Sequence, residues 1–83
     1  MKLPRDLSGE EVVKLLNRHF GYQLRRSRGS HMTVTLAKGT NEHSLTVPRH
    51  RNVRVGTLAQ IVSDVAAFVS VPEEEVRRRL FRQ

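Results

Sequence analysis

The sequence predicts an α+β domain of order αβββα: a three-stranded antiparallel sheet, helices on one of its faces, and a short extra helix at the C-terminal end. Three observations predict it. Apolar residues recur at helical spacing in two separated stretches, near residues 12–20 and 58–69. Between them lie three short stretches of alternating character, divided by turns that contain Gly. The third observation is length: 83 residues with 37% hydrophobic content and no Trp make a single domain, 1–83, with a modest aliphatic core.

Ser8-Gly9-Glu10-Glu11 has the form of a capping box, in which the Ser8 hydroxyl and the Glu11 carboxylate each satisfy a helix-start amide. The first helix is expected there, with Val12, Leu15, Leu16, His19 and Phe20 on its packed face and Gly21 as its stop. Tyr22 to Ser27 reads as the first strand, Arg28-Gly29-Ser30 as a turn, and His31 to Leu36 as the second strand. Side chains alternate across a strand, so Met32, Val34 and Leu36 point inward while His31, Thr33 and Thr35 point outward. Lys38-Gly39-Thr40-Asn41 makes the next turn, and His43 to Val47 is the third strand, with Leu45 and Val47 inward. Pro48 to Val55 carries Arg49, His50, Arg51 and Arg54 without apolar periodicity and is expected to be a basic loop.

Gly56-Thr57 is expected to open the second helix, with Thr57 and Gln60 at capping-box spacing and Leu58, Ile61, Val62, Val65 and Val69 as its buried stripe. After Ser70-Val71-Pro72, the acids Glu73 and Glu74 suit a helix start, and Arg77, Arg78, Arg79 and Arg82 suit its end. A short additional helix over 70–83 follows. With the helices on one face, the other face of the sheet stays open.

Charge narrows the function classes. Fifteen Lys and Arg against eight Asp and Glu give a formal charge of +7, which points to a polyanionic partner. From Arg18 to Arg54 the only acid is Glu42, so the basic residues form a centre between mixed termini. The absence of Cys removes disulfides, zinc-thiolate sites and thiol nucleophiles, and favours the cytoplasm. No apolar run approaches the roughly 20 residues that span a bilayer, and Met1 to Leu7 lacks the apolar region of a signal peptide, so no membrane association is expected. The four His show no metal-ligand spacing and no carboxylate pair accompanies them; no metal and no cofactor are expected.

The order helix, three strands, helix is that of double-stranded-RNA-binding domains, and four local strings resemble HicA-type toxins. These are Leu7-Ser8-Gly9-Glu10-Glu11-Val12, Arg28-Gly29-Ser30-His31, Val47-Pro48-Arg49-His50 and Gly56-Thr57-Leu58, in the family's order, over about residues 7–66. The resemblance implies an mRNA interferase that needs no metal, with the His of the Gly-Ser-His string, His31, as its catalytic residue. It also implies a HicB-type antitoxin that binds and blocks the toxin. The chain departs from the family after the second helix, where Ala66-Ala67-Phe68 stands in place of a closing Gly and the acidic-basic helix follows.

The residues themselves suit this chemistry. RNA carries its own nucleophile, the 2′-hydroxyl, so a ribonuclease can act by positioning phosphate, moving protons and stabilising charge. An imidazole, with an ordinary pKa of about 6.5, is suited to the proton transfer. His31 has the outward register for it, although a His at a turn also serves to cap a carbonyl. Arg28 could hold a phosphate oxygen, joined by the turn amides of Gly29 and Ser30, and Arg26, Arg49, His50 and Arg51 complete the candidate RNA-binding set. His50 is a second candidate for proton transfer, His19 is expected to pack, and His43 carries no signal. The alternative reading is a non-catalytic RNA-binding module that recognises shape through 2′-hydroxyl and phosphate contacts. A DNA-binding regulator would have only the Arg-rich third helix to offer, since no helix-turn-helix pattern is present.

Overall fold

The protein is described from a computed structural model over residues 3–81; Arg82, expected at the end of the last helix, lies outside these residues. The elements run α1 (Gly9–Phe20), β1 (Gln23–Arg28), β2 (His31–Lys38), β3 (Asn41–Pro48), α2 (Val55–Val69) and α3 (Glu73–Phe81). The three strands form one antiparallel sheet in the order β1-β2-β3. This is the α+β, αβββα architecture with an open sheet that the sequence predicts, with its additional C-terminal helix.

Helix α1 starts where Ser8 accepts a hydrogen bond from the Glu11 amide (3.1 Å) while the Glu11 carboxylate accepts from the Ser8 amide (2.9 Å), so the capping box forms in full. That second bond holds the Glu11 carboxyl below its ordinary pKa. The helix ends at Gly21, whose φ of 86° lies in the left-handed region. Val12 and Leu16 are buried, and His19 and Phe20 are half-buried.

Both hairpins close through two-residue turns, Gly29-Ser30 and Gly39-Thr40, and in each the first residue is a Gly with φ near 60°. A Gly at that position is what a tight primed turn demands. Arg28, Lys38 and Asn41, expected in the turns, belong instead to the paired strands. Tyr22 lies outside β1; it is fully buried, its amide donates to the Leu16 carbonyl and Asn17 Nδ2 donates to its carbonyl. All six residues of the edge strand β1 are exposed.

The core is one cluster. Met32, Val34, Leu45 and Val47 from the inner sheet face meet Val12 and Leu16 of α1 and Leu58, Ile61, Val62, Val65 and Ala66 of α2. Helix α3 contributes Val76 and Leu80, both buried, so the C-terminal helix is part of the same core. Each such side chain contributes on the order of 2 kcal/mol relative to exposure.

The start of α2 corrects two further expectations. Helix α2 begins at Val55, with Arg54 as an N-cap that makes no side-chain bond, and Thr57 and Gln60 form no capping box. Gln60 donates to Asp64 one turn on, at 2.9 Å. The physical reason is Val53: it is buried and its amide donates to the Leu7 carbonyl (2.7 Å), so the chain is fixed and turning before Gly56 is reached. The segment after Pro48 is therefore exposed and basic but anchored. At its other end α2 closes on Ser70 in the left-handed conformation (φ 61°), a place where Gly is the usual choice. Among the described residues no single helix is long and apolar enough to cross a membrane.

Candidate nucleic-acid interface

Cross-strand partners lie on the same sheet face, so the register composes the open face row by row. His31, the first residue of β2, stands opposite Arg28 of β1 and Pro48 of β3. The next row holds Arg26, Thr33 and Thr46, and the one after it Gln23, Thr35 and Ser44. The inner face of the same strands carries Met32, Val34, Leu45 and Val47, which fixes the phase: a slip of one residue would put His31 in the core. His31, Arg28 and Arg26 are all exposed, on a face that also carries the hydroxyls of Thr33, Thr35, Ser44 and Thr46.

The two-residue turn is what makes Arg28 and His31 direct neighbours across the hairpin. A longer turn would separate them, and a residue other than Gly at position 29 would strain it at φ 57°. Behind the turn, the Arg49 amide donates to the Ser30 carbonyl at 2.6 Å. The Arg49 guanidinium donates to Glu10 Oε2 in the first turn of α1 (2.8 Å) and to the Ser27 hydroxyl of β1. Arg49 thus ties α1, β1 and the turn together. One residue on, the His50 carbonyl accepts from the Gly9 amide (2.9 Å), while the His50 and Arg51 side chains are exposed.

Of the candidate residues, Arg26, Arg28, Gly29, Ser30 and His31 therefore share one hairpin, and Arg49 is hydrogen-bonded to it. His50 and Arg51 follow on the loop anchored beside it. The arrangement sets an exposed imidazole next to a guanidinium and a glycine turn, which is proton-transfer capacity beside a place for an anion. Sequence reasoning missed Glu10 and Ser27, whose roles appear only once Arg49 reaches them from a distant part of the chain. It also missed Arg25. An irregularity in the β1–β2 pairing leaves Arg25 as an extra residue between Leu24, opposite Val34, and Arg26, opposite Thr33. Such bulges re-aim a side chain, and strict alternation cannot reveal one.

His43 also departs from its reading. It stacks on Phe68 of α2, with centroids 4.9 Å apart, and its Nδ1 lies 2.8 Å from the Tyr22 hydroxyl. Burial, and secondarily the charge of Asp64, pushes the Tyr22 phenol up to about 12. This cluster lies on the inner side of the sheet and serves packing. Two arginines of α3 are engaged within the fold: Arg79 pairs with Glu75 at 2.6 Å and lies over the Phe20 ring, and Arg77 stands 3.8 Å from Glu73, while Arg78 is exposed. Among the described residues no group of three or more His, Asp or Glu is placed to hold a metal ion.

Fold and surface together define a small α+β protein whose open sheet face is basic and carries a surface histidine. The sequence profile of the family described as HicA toxin of bacterial toxin-antitoxin matches residues 9–66, more than half of the chain. The chain belongs to the HicA toxin family, and a toxin of that kind has a cognate antitoxin as its partner. No curated protein and no solved structure matches it.

Proposed function

We propose that this toxin is a metal-independent endoribonuclease that cleaves mRNA in the cytoplasm, with His31 as its proton-transfer residue and a HicB-type antitoxin as its inhibitor. The observation that carries the reading is the direct pairing of His31 with Arg28 across the Gly29-Ser30 turn, on the exposed face of the sheet. In the proposed reaction the 2′-hydroxyl of the substrate attacks the adjacent phosphorus and the bond to the 5′-oxygen breaks. The products are a 2′,3′-cyclic phosphate and a 5′-hydroxyl end. His31 exchanges a proton with either the 2′- or the 5′-oxygen and water exchanges the other, and Arg28 with the turn amides holds the phosphate as its charge develops. Arg26, Arg49, His50 and Arg51 supply the surrounding positive field that draws in the strand.

The test is cleavage of RNA by the wild type and by His31→Ala, with a chelator present throughout. The wild type is expected to cut, to leave 5′-hydroxyl ends, and to lose about 10²- to 10⁴-fold in rate in the variant. Undiminished cleavage by His31→Ala would refute the assignment of His31. Binding of RNA by both proteins with cleavage by neither would make the chain a non-catalytic RNA-binding module.

A further inference from the structure

At the end of the open face away from His31, Arg25 is aimed across the sheet by the bulge in β1. Its Nε donates to the Thr35 hydroxyl at 2.9 Å and its Nη2 reaches Glu42 Oε2 at 3.4 Å. Two contacts, one on each of the other strands, orient the guanidinium across the open face. Beside it lies an open cavity of about 260 Å³ lined by Gln23, Arg25, Thr35 and Glu42 among others. Stability does not account for the arrangement. Both side chains of the ion pair are more than half exposed, and such pairs contribute little.

We infer that Arg25 is the floor of a second subsite, which takes one unpaired base of a single-stranded RNA bound along the open face. A planar guanidinium held on a surface is a platform on which bases stack, and Arg serves this purpose where Lys cannot. Gln23 and Glu42 at the rim offer an amide and a carboxylate to the base edge. The carboxylate accepts from an exocyclic amino group, so adenine, cytosine and guanine are favoured over uracil. Thr35 lies four residues along β2 from His31, about 13 Å at strand rise. The base in the subsite therefore belongs to another nucleotide of the strand, not to the one at the scissile bond. Glu42 is the only acid between Arg18 and Arg54, which gives this otherwise cationic face one discriminating acceptor.

The subsite rests on the RNA-cleavage reading and deepens it, so the test separates the two. Affinity and cleavage rate are measured on single-stranded oligoribonucleotides carrying one abasic position, moved stepwise along the strand, with the wild type, Arg25→Ala and Arg25→Lys. All three proteins are expected to fold alike, since Arg25 is exposed. For the wild type, one abasic position away from the cleaved bond is expected to weaken binding roughly tenfold. Both variants are expected to show that loss already on intact RNA and to be insensitive to the abasic step. Losses that add, or variants that match the wild type, would overturn the subsite even if cleavage is normal. If no RNA is cleaved, the ribonuclease reading fails, and the subsite is judged on binding alone by the same criterion.

Discussion

Gly9 packs so closely on Pro48 that a Cβ at position 9 would stand 2.0 Å from the Pro48 carbonyl oxygen. The contact joins the first residue of α1 to the end of β3, and the Gly9 amide bonds the His50 carbonyl beside it. Two effects of opposite sign compete in Gly9→Ala. Helix propensity favours Ala by about 1 kcal/mol. The clash is with backbone, which cannot swing aside as a flexible side-chain end can, and overpacking of this kind costs about 1–3 kcal/mol. The variant is expected to be destabilised by up to about 2 kcal/mol and to loosen the Arg49-to-Val53 segment, read by thermal unfolding and by amide exchange at His50 and Arg51. A stabilised Gly9→Ala protein would mean that propensity decides and that the helix start can yield.

The Tyr22 phenol, pushed up to about 12 by burial and then by Asp64, gives a pH dependence whose sign follows from linkage. The folded state holds the phenolic proton more tightly than the unfolded chain does. Its contribution is therefore complete below about pH 10 and is lost as pH rises from about 10 through 12. Two units correspond to a loss on the order of 2 kcal/mol. Tyr22→Phe removes the titrating group and is expected to flatten the alkaline limb of the stability profile, at some cost near neutrality because His43 Nδ1 loses its partner. Denaturant unfolding from pH 8 to 12 checks both, and parallel alkaline limbs in the two proteins would contradict the assignment.

The fold was legible because its signals are local. The capping box at Ser8 and Glu11, the glycines at 29 and 39 and the alternation from His31 to Leu36 each specify a backbone without help from elsewhere. The facing of His31 by the hairpin followed from the same alternation. What stayed hidden depends on approach between distant segments. Val53 looks like one apolar residue in a basic loop, yet it fixes where α2 begins; Thr57 and Gln60 have capping spacing but sit inside the helix. Arg25 gave no signal, because its bulge carries no glycine and counting by twos passes over it. Glu10 read only as a first-turn acid until Arg49 came to meet it.

Arg49 and Glu10 make a second electrostatic test. Both are substantially exposed, so their ion pair is worth at most about 1 kcal/mol and Glu10→Gln should unfold within that margin of the wild type. On RNA the effect is expected to be of opposite sign. Removing the carboxylate leaves the Arg49 charge uncompensated beside the Gly29-Ser30 turn, so affinity should rise a few-fold at low salt. The logarithmic salt slope should steepen by up to about 0.7, one phosphate contact on a single strand. Arg49→Ala should do the reverse. Titrations of a single-stranded RNA at several salt concentrations decide it, and a Glu10→Gln slope equal to that of the wild type would show that Arg49 serves only to tie α1 to β1.

The cognate antitoxin is expected to meet the same surface under the same electrostatics. A partner that silences the toxin by occlusion has to cover the exposed His31 and Arg28, and a cationic face selects acidic groups for that contact. Amide exchange in the complex is expected to slow at the Gly29-Ser30 turn, at the start of β2 and along the open edge of β1, whose residues are all exposed in the toxin alone. Complex formation should also slow as salt screens the attraction, with most of the change in the association rate. Helix α3 makes an opposite forecast. Its buried face packs on α1 and α2 and its Arg77 and Arg79 are paired within the helix, which leaves Arg78 as the exposed cation it offers the antitoxin. Protection confined to α3, with the β1–β2 hairpin unchanged, would show that the antitoxin acts at a distance from His31 and would refute occlusion.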